Sequence, residues 1–422
     1  MNFFKSLQNK IKKKKLRVAV VGVGYVGFPL SLNISRKFNV IGFDLSKKRI
    51  QSLIKKKEVK ANKKLLLTSN IKNLKNIDIF LICVPTPLKN NNDPDLRYVE
   101  NAFLSINKFI KPGQAICLES TSYPGTTREM ISNKIEKLRF KLGKDFFIGF
   151  SSEREDPGNK EFKLSEITKV FSGHTNSCSK IFKLFYGSIF KKIHYAKTLE
   201  IAEMSKLLEN IYRSVNIGLV NEMKKICTKM NIDIFDVIKS AATKNFGFSV
   251  FWPGPGMGGH CIPIDPFYLT WKAKEFGAKS RFIELAGEIN SDMPLWVFNR
   301  VQEILNKKKI HLSNAKVLLL GTAYKKNIGD VRGSPAIKII DLLLRNNAKV
   351  FFNDNYVKVL NIKHKNFSTK SINYKNNKLK NFDLVILITD HSYYDKNYII
   401  KQSKIIFDTR FFFNDDDKVS RC

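Results

Sequence analysis

A strand, a glycine-rich turn, a helix and a second strand ending in an acid stand near the start of the chain and limit its possible folds. The apolar run 17–21 predicts a buried strand, the sequence Gly-Val-Gly-Tyr-Val-Gly follows at 22–27, and the run 39–43 predicts the second strand. Asp44 ends this unit, twenty residues after Gly24. Three such glycines permit a tight turn, close approach of a pyrophosphate to the helix N-terminus and close packing of helix on strand. The stretch therefore predicts a Rossmann-type domain that binds a dinucleotide.

The acid at the end of the second strand also bears on which dinucleotide is bound. A carboxylate at position 44 can bind a ribose diol and would repel a 2′-phosphate, so it favours NAD over NADP. Lys47 and Lys48 stand nearby and leave that preference open. The residues predicted to contact the cofactor are Gly22, Gly24, Tyr25, Val26, Gly27, Asp44, Arg49, Pro85, Thr86 and Thr121.

The chain continues to alternate strand and helix patterns after the first unit. In an open parallel sheet, ligands bind beyond the carboxyl ends of the strands, so hydroxyls and prolines placed there can shape a site. Ser, Thr, Pro and Gly are also ordinary turn formers, which leaves a purely structural interpretation of these loops open. The predicted strands are 77–84, 115–119 and 146–150, and the loops after them are 85–87, 120–127 and 151–158.

The longest helical pattern in the chain runs from 199 to 230. Apolar residues recur along it at helical spacing, which predicts one long helix between two domains and a self-association surface. A different face carries Lys206 and Asn210, which are neighbours because they are four residues apart. On spacing alone, these two could equally be surface residues.

A second α/β alternation follows a predicted helical region at 269–306. Its first turn has a single glycine, so we expect this sheet to bind a mononucleotide rather than a second dinucleotide. The cations of 324–326 and Arg332 stand at that turn and suit phosphates. The predicted strands of this part are 316–321, 349–354, 384–388 and 405–408.

Between the long helix and the second α/β region, one cysteine stands on a glycine-rich loop. Four glycines fall within 254–259, Cys261 follows, and Asp265 comes four residues later. Such glycines let a substrate approach the backbone closely, which suits a thiol that must touch its substrate. A tight structural loop with an inert buried cysteine is the alternative. The motif alone does not decide between them.

Composition excludes several other classes of protein. The formal net charge is +37 on 422 residues, and 43% of the residues are hydrophobic, as in a globular chain of two or three domains. The lysines are scattered along the whole sequence, which argues against nucleic-acid binding, and their charge will attract anionic substrates. Lys12 to Lys15 precede the first strand and are expected to form a solvated N-terminal extension.

The expected compartment is the cytoplasm. No apolar run reaches the length of a membrane span, and the N-terminus lacks the apolar core of a signal peptide, so no membrane partner is expected. The six cysteines show no paired spacing, which indicates neither a disulfide framework nor a structural zinc site. His260 has no partner at metal spacing and is interpreted as a loop residue, so no metal is expected.

From about residue 16 to the C-terminus, these motifs resemble the UDP-glucose/GDP-mannose dehydrogenase family, the nucleotide-sugar 6-dehydrogenases. They stand in the family's order: the fingerprint 22–27, Val84-Pro85-Thr86-Pro87, Ser120-Thr121 with 124–127, Glu153-Arg154, Lys206 with Asn210, the Cys261 loop, and Lys325-Lys326 with Arg332.

The resemblance implies a reaction and a set of roles. A UDP-sugar is oxidised at C6 to a UDP-uronic acid in two steps at one site, which consume two NAD⁺. Cys261 would add to the intermediate aldehyde as a thiohemiacetal that is then oxidised to a thioester. The other implied roles are oxyanion stabilisation by Lys206 and Asn210, placement of water or proton transfer by Asp265 and Thr121, and activation of the hydrolytic water by Glu153.

Substrate binding and substrate choice are implied in the same way. The run 153–159 is most similar to the branch that acts on UDP-N-acetylglucosamine, for surface polysaccharide precursors such as lipopolysaccharide O-antigen. Ser152 replaces the proline usual in the family, and 245–247 lacks the arginine of the UDP-glucose branch. UDP-glucose and UDP-N-acetylmannosamine remain alternatives. The residues expected to bind the sugar or the UDP part are Glu153, Arg154, Lys206, Asn210, Gly258, Lys326, Arg332 and Arg410.

Two other kinds of protein share part of this pattern. A two-electron dehydrogenase of the 6-phosphogluconate or hydroxyacid type also joins a Rossmann domain to a long helix, but needs neither a nucleophilic cysteine nor a second α/β domain. A non-catalytic basic binding protein would have no reason to keep Cys261, Lys206, Glu153 and Asp265 together.

The predicted fold class is α/β, with two Rossmann-like doubly wound domains joined by a long central helix. We predict a homodimer formed through that helix. The expected segments are a basic extension at 1–15, an NAD-binding domain at 16–198, a central helical dimerisation domain with the cysteine loop at 199–306, and a UDP-sugar-binding domain at 307–422.

Overall fold

The structure is a computed structural model, and it describes residues 2–89, 93–154, 166–259, 262–362 and 367–421. Within it the chain forms two compact units. The first comprises Met1–Glu209 with Phe267–Ala278, and the second comprises Asn210–Pro266 with Lys279–Cys422. The chain passes from one unit to the other three times, twice inside a helix and once between two helices. The four-segment division predicted from the sequence stays a prediction.

The described part of the first unit is built on an eight-stranded sheet with the order β3-β2-β1-β4-β5-β6-β7-β8. All neighbouring strands are parallel except β6 and β7, which run antiparallel. The first six strands thus have the order of a dinucleotide-binding sheet. The strands are β1 (Arg17–Val21), β2 (Asn39–Phe43), β3 (Leu65–Thr68), β4 (Ile79–Ile82), β5 (Ala115–Leu118), β6 (Phe147–Phe150), β7 (Lys169–Gly173) and β8 (Ile193–Tyr195).

Helices cover both faces of this sheet, as a parallel sheet requires. Alternate residues of β1 show the division, since Val18 and Val20 belong to one buried cluster and Ala19 and Val21 to the other. The helices are α1 (Phe3–Lys12), α2 (Gly27–Ser35), α3 (Lys47–Ile54), α4 (Lys57–Lys60), α5 (Arg97–Asn107), α6 (Asn133–Lys137) and α7 (Asn176–Gly187), with a 3₁₀ turn at Ile71–Leu74 and a π-helical turn at Arg128–Ser132.

The N-terminus differs from the expectation of a solvated extension. Lys12 to Lys15 are exposed, as predicted, but Lys12 is the last residue of α1, and this helix packs against α7. Leu7 and Ile11, four residues apart on one side of α1, are buried in the core of the unit. This short amphipathic helix was not predicted, because the many lysines around it indicated a solvated segment.

The second unit holds a five-stranded parallel sheet, with the order β10-β9-β13-β14-β15, in its described part. Beside it lies a two-stranded antiparallel sheet of β11 and β12. The strands are β9 (Lys316–Leu320), β10 (Lys349–Asn353), β11 (Val359–Ile362), β12 (Phe367–Lys370), β13 (Leu384–Leu387), β14 (Ile406–Asp408) and β15 (Val419–Arg421).

The long predicted helix is α8 (Leu199–Lys229), which carries the chain from the first unit into the second. The single helical region expected at 269–306 is in fact two helices. Gly277 lies between them with φ +67°, a left-handed conformation that ends the first one. The remaining helices are α9 (Ile234–Ala241), α10 (Asp265–Glu275), α11 (Arg281–Lys307), α12 (Pro335–Arg345) and α13 (Lys396–Gln402).

The predicted fold class, two Rossmann-like α/β domains and a long central helix, is confirmed. Among the described helices, none combines the length and the apolar character needed to cross a bilayer.

Candidate active site

The glycine-rich turn after β1 has the geometry expected of a dinucleotide fingerprint. Gly22 has φ +93°, and its N–H donates to the carbonyl of Phe43 at 2.8 Å. A Cβ added to Gly27 would lie 1.8 Å from the Gly22 carbonyl oxygen, so only glycine permits this contact of α2 with the turn. A Cβ added to Gly24 would meet no atom within 4 Å, which leaves open space where a pyrophosphate must approach.

Asp44 borders the same turn at the end of β2. Its carboxylate accepts from the N–H of Val23 at 3.1 Å and from the N–H of Ser46 at 2.9 Å. Arg49 Nε donates to the Val23 carbonyl at 3.1 Å, so acid and guanidinium hold the turn from one side. A carboxylate has about four acceptor positions, and capacity remains for a ribose diol. The turn, the open space at Gly24 and the acid together fit NAD⁺.

The loops after β4 and β5 are joined at the carboxyl edge of the sheet. Thr86 Oγ1 donates to the Thr121 carbonyl at 2.7 Å, and Ser120 Oγ donates to the Val84 carbonyl at 2.6 Å. Pro87 accepts from the hydroxyl of Tyr268, on α10, at 3.2 Å. The predicted cofactor residues Pro85, Thr86 and Thr121 therefore belong to one connected pair of loops.

A buried glutamate that the sequence analysis missed fixes the second of these loops to α8. Glu203 is fully buried and accepts from the N–H groups of Gly125 at 2.6 Å and Thr127 at 2.8 Å, and from Thr127 Oγ1 at 2.7 Å. Burial raises the pKa of Glu203 to about 7, although those hydrogen bonds lower it. The helix that carries Lys206 is thereby attached to the loop that begins with Thr121.

The pKa of Glu203 predicts a pH dependence of stability. The pKa of Glu203 is raised from 4.5 to about 7 in the folded protein. The side chain's contribution to the free energy of unfolding is therefore full below pH 4.5 and is lost as the pH rises through 7. Relative to Glu203→Gln, the wild type should lose about 2 kcal/mol of unfolding free energy between about pH 5 and pH 7.5. Urea unfolding of both proteins at both pH values measures this difference. A difference that does not change with pH would contradict the assignment.

Glu153 and Arg154 follow β6 at the same edge and have defined partners. Glu153 is buried, and its Oε2 lies 3.3 Å from Lys169 Nζ. Arg154 forms an ion pair with Glu209 of α8 at 2.6 Å and donates to the Thr168 carbonyl at 3.1 Å. The guanidinium predicted to bind substrate thus anchors this segment within the first unit.

Lys206 and Asn210, which spacing alone allowed on the surface, are both buried. The surface alternative is therefore wrong. In the second unit, Asn210 Nδ2 donates to Asp265 Oδ2, and Arg213 Nη2 donates to Asn210 Oδ1 at 2.6 Å. Two of the predicted catalytic residues, far apart in sequence, are brought into direct contact. The nucleophile predicted from the sequence, Cys261, lies outside the described residues, as does His260.

The glycines before Cys261 lie against the first turn of the second sheet. A Cβ on Gly258 would be 2.6 Å from Tyr324 Cβ and 2.8 Å from the Gly333 carbonyl oxygen. Gly259 has φ +91°, and its N–H donates to the Arg332 carbonyl at 3.1 Å. The loop and the cationic turn, predicted separately, pack together within the second unit.

Three of the cations predicted to bind substrate belong to the second sheet and its loops. Lys326 Nζ is 3.5 Å from Asp390, and the Arg332 guanidinium pairs with Asp330 at 2.6 Å. Arg410 Nε donates to the Ile388 carbonyl at 2.8 Å, and its guanidinium lies beside Gly254. These cations stand at the carboxyl edge of the second sheet, where a phosphate-bearing ligand would bind.

The acid of the second sheet cannot repeat the role of Asp44. Asp354 follows β10 but is completely buried, and His391 Nε2 lies 3.1 Å from its Oδ2. The same oxygen accepts from the N–H of Thr322 at 2.8 Å and of Ala323 at 3.1 Å. A carboxylate enclosed in this way is closed to a ribose diol, which agrees with the expectation that this sheet binds no second dinucleotide.

Comparison with known proteins assigns the chain to a family. Residues 16–190 match the NAD binding domain of the UDP-glucose/GDP-mannose dehydrogenase family, 200–292 its central domain and 318–415 its UDP binding domain. The chain belongs to the UDP-glucose/GDP-mannose dehydrogenase family. It is an NAD-dependent nucleotide-sugar dehydrogenase, an oxidoreductase, and its first sheet is the NAD-binding domain.

Relatives in this family act on different sugars. The chain is 37% identical over 362 residues to UDP-N-acetyl-D-glucosamine 6-dehydrogenase of Pseudomonas aeruginosa. That alignment covers 83% of this chain and 85% of the relative. It is 37% identical over 415 residues to protein CapL of Staphylococcus aureus. That alignment covers 95% of this chain and 97% of CapL. Among solved structures, the UDP-D-ManNAc dehydrogenase of Pyrococcus horikoshii matches with a TM-score of 0.87 at 30% identity, over 96% of this chain and 99% of that one.

The side chains missed by the sequence analysis are polar residues of the family's NAD-binding domain and of α8, and all of them except Arg213 are buried. Lys169 begins a strand, Glu119 follows one, and Glu203 and Arg213 lie on a helix otherwise noted for its apolar stripe. Their one sequence signal is a charge beside or inside an apolar run. That signal is weak, because surface positions produce it as well.

Proposed function

We propose that the protein oxidises the C6 hydroxymethyl group of UDP-N-acetylglucosamine to a carboxylate, with two NAD⁺ consumed per sugar and a covalent intermediate on Cys261. The product would be UDP-N-acetylglucosaminuronate, a precursor for a surface polysaccharide. We also propose that the reaction takes place in the cytoplasm.

The hydrogen bond between Asn210 and Asp265 is the observation that carries this proposal. Asp265 stands four residues after Cys261, and Asn210 stands one helical turn after Lys206. Side chains from two separate segments therefore converge beside the sequence position of the thiol. Both partners are buried, so their hydrogen bond is shielded from water and fixes the start of α10 against α8.

The proposed chemistry divides one difficult conversion into smaller steps. NAD⁺, when bound, accepts the electrons of each oxidation. The Cys261 thiolate adds to C6 of the aldehyde, and the resulting alkoxide is stabilised by the Lys206 ammonium and by an N–H of Asn210. The adduct retains C6 for the second oxidation, which leaves a thioester. Glu153 then takes a proton from a water molecule that attacks the thioester carbon and expels the thiolate.

The remaining proposed roles concern placement. Asp265 and Thr121 position water and assist proton transfer, and the cations Lys326, Arg332 and Arg410 bind the UDP part. Gly258 allows the sugar to approach the backbone. The cofactor is held by the residues of the glycine-rich turn, by Asp44 and by the loops that carry Pro85, Thr86 and Thr121.

The acetamido sugar is supported by identity to the Pseudomonas aeruginosa relative and by Asn245-Phe246-Gly247, which lacks the arginine of the UDP-glucose branch. UDP-N-acetylmannosamine is the second candidate. The UDP-N-acetyl-D-mannosamine dehydrogenases of several Methanococcus species are 32% to 34% identical to the chain, and the Pyrococcus horikoshii relative is a UDP-D-ManNAc dehydrogenase. The two sugars differ in configuration at C2, so a direct assay separates them.

We further propose that the protein is a homodimer formed through α8. Large apolar side chains of this helix are exposed along its length, at a density that single surface residues do not explain. Sedimentation velocity of the purified enzyme should give the mass of two chains. The mass of a single chain would contradict the proposed homodimer. The exposed residues of α8 are Ile201, Met204, Leu208, Tyr212, Leu219 and Ile226, and Met230 follows directly after the helix.

The test of function is the amount of NADH formed per UDP-sugar consumed. Purified protein is assayed side by side with UDP-N-acetylglucosamine, UDP-N-acetylmannosamine and UDP-glucose, and the product is identified by mass. We expect two NADH per UDP-N-acetylglucosamine and a kcat/KM at least about tenfold higher than for either other sugar, about 1.4 kcal/mol of discrimination. A ratio of one NADH would disprove the four-electron reaction. A preference for another sugar would keep the reaction and change the substrate.

A further inference from the structure

Two members of a buried charge cluster at the carboxyl edge of the first sheet, Lys169 and Glu119, have no part in the proposed steps. Lys169 Nζ lies 2.7 Å from Glu119 Oε2, 3.3 Å from Glu153 Oε2 and 3.3 Å from the Ser152 carbonyl oxygen. The side chains of the lysine and the two glutamates are 2%, 0% and 6% exposed. Charges at this depth are costly unless they have a specific role or complete pairing.

Strand β7, which runs antiparallel to β6, delivers Lys169 to this position. In the register of β6 and β7, Phe150 pairs with Ser172, and the same register continued past the end of β6 brings Glu153 opposite Lys169. Because β7 is antiparallel to β6, its first residue lies where the parallel strands end, at the ligand-binding edge. A parallel strand in this place would have put its first residue at the opposite edge.

Glu119 acts as the fixed side of the cluster. One of its oxygens accepts from the Tyr186 hydroxyl and the other from Lys169. Burial raises the pKa of Glu119, and the Lys169 charge opposes that rise. Burial would lower the pKa of Lys169, but Glu119 and Glu153 together raise it above its usual value. The lysine is therefore charged, and its ion pair with Glu119 anchors it.

Glu153 is held on both oxygens. Its Oε2 faces Lys169, and its Oε1 accepts from the N–H of Arg154 at 2.7 Å. Arg154 in turn is tied to Glu209 of α8. The loop after β6 has Ser152 where the family usually has proline, and the Ser152 carbonyl is a third contact of the ammonium. The ammonium therefore fixes both the carboxylate and the backbone that precedes it.

We propose that Lys169, anchored on Glu119, is a positioning residue that holds the Glu153 carboxylate in place for hydrolysis of the thioester. The inference rests on the proposed function of Glu153. It assigns Lys169 no contact with substrate and no part in the two oxidations. Removing the ammonium should therefore slow the release of the carboxylate product and leave formation of the covalent intermediate unchanged.

The test is Lys169→Met, with Lys169→Arg as the conservative variant and Glu153→Gln as the reference for lost hydrolysis. Rapid mixing with UDP-sugar and NAD⁺ follows NADH, and intact-protein mass after acid quench detects sugar bound to Cys261. For Lys169→Met we expect a normal burst of two NADH per site, a steady rate lower on the order of a hundredfold, and accumulated adduct. Lys169→Arg should recover much of the steady rate because it keeps the charge.

Matched controls separate positioning from general damage. Lys134→Met removes another ion pair of 2.7 Å, with Glu100, that is partly exposed on the same unit, and it should change neither phase. The double variant Lys169→Met/Glu119→Gln removes the anchor as well, so that no unpaired carboxylate stays behind the lysine position. The double variant should fold and show the same slow hydrolysis. If the single variant does not fold, the double variant still tests whether loss of the Lys169 ammonium slows hydrolysis.

The pH dependence of the slow phase provides a second readout. Two buried carboxylates without a cation between them bind a proton at higher pH, so hydrolysis by Lys169→Met should require a higher pH than in the wild type. Hydrolysis by the double variant should depend on pH less strongly. The titratable groups that face the ammonium are Glu119, Glu153, Cys83, Cys117 and Tyr186.

Two results would overturn the inference. One is a steady rate of Lys169→Met equal to that of the wild type, and the other is burst and steady rate falling in equal proportion while the folded structure is retained. Failure of the proposed function is distinct from either result. It would appear in the wild type as one NADH per sugar, or in Glu153→Gln as the absence of any adduct.

Discussion

Replacing Cys261 by alanine should lower kcat for carboxylate formation by about a thousandfold or more, because the variant has no nucleophile to retain the aldehyde. The first oxidation needs no thiol, so a single turnover should yield about one NADH per site instead of two. The four cysteines whose surroundings are described are all buried and free. Burial raises the pKa of Cys83 and Cys117 well above the usual value, so these thiols cannot replace Cys261.

The matched control is the same substitution at Cys227. This cysteine is 4% exposed and packs beside Ile234 and Phe235, neither of which has a role in the reaction. Cys227→Ala should cost about 1 kcal/mol of stability and retain turnover. Two NADH per sugar from Cys261→Ala, measured beside that control, would show that the thiol is not the nucleophile.

Gly27→Ala should have the largest effect on folding of any single methyl group added to the cofactor turn. Its Cβ would lie 1.8 Å from the Gly22 carbonyl oxygen and 3.1 Å from Cys83 Cβ. Helix α2 would have to move away from β1 and β4, at an expected cost of about 3 kcal/mol or more. Urea unfolding monitored by circular dichroism measures this cost.

Gly24→Ala is the matched variant in the same turn. Its Cβ would meet nothing within 4 Å, so the free energy of unfolding without cofactor should change little. The methyl group would instead occupy the space that a pyrophosphate needs, and NAD⁺ affinity should fall on the order of tenfold, about 1.4 kcal/mol. Titration of protein fluorescence with NAD⁺ checks this. Equal destabilisation by the two variants would contradict the assigned roles of the glycines.

Nine of the fifteen described strands and the long helix were predicted from local patterns, whereas β3, β7, β8, β11, β12 and β15 were missed. β1 and β2 have the predicted bounds, and α8 ends one residue before its predicted end, because an apolar period is contained within a window of a few residues. The break between α10 and α11 was missed, since Gly277 interrupts a pattern that remains helical on both sides. Helix α1 was missed because its many lysines indicated a solvated segment, although two of its apolar residues are buried.

The predicted site residues were found through motifs, and the structure adds how they are held. Asn210 and Asp265 were predicted separately and form a hydrogen bond, while Gly258 packs against the predicted cationic turn. Arg154 was predicted to bind substrate, and the structure shows it paired with Glu209. A motif specifies residue types at a spacing, whereas a partner depends on which segments the fold brings together.

By itself, the sequence determined the Rossmann turn, the acid that follows β2, and the family, because each of these depends on residues close together in the chain. Only the tertiary structure decided that Lys169 lies between Glu119 and Glu153 and that Glu203 holds the Thr121 loop. The direction of β7 and the packing of α8 set these contacts. The strand direction and the helix packing depend on burial summed over the whole unit. The local sequence does not reveal them, because a charged residue in the core has the same sequence pattern as one on the surface.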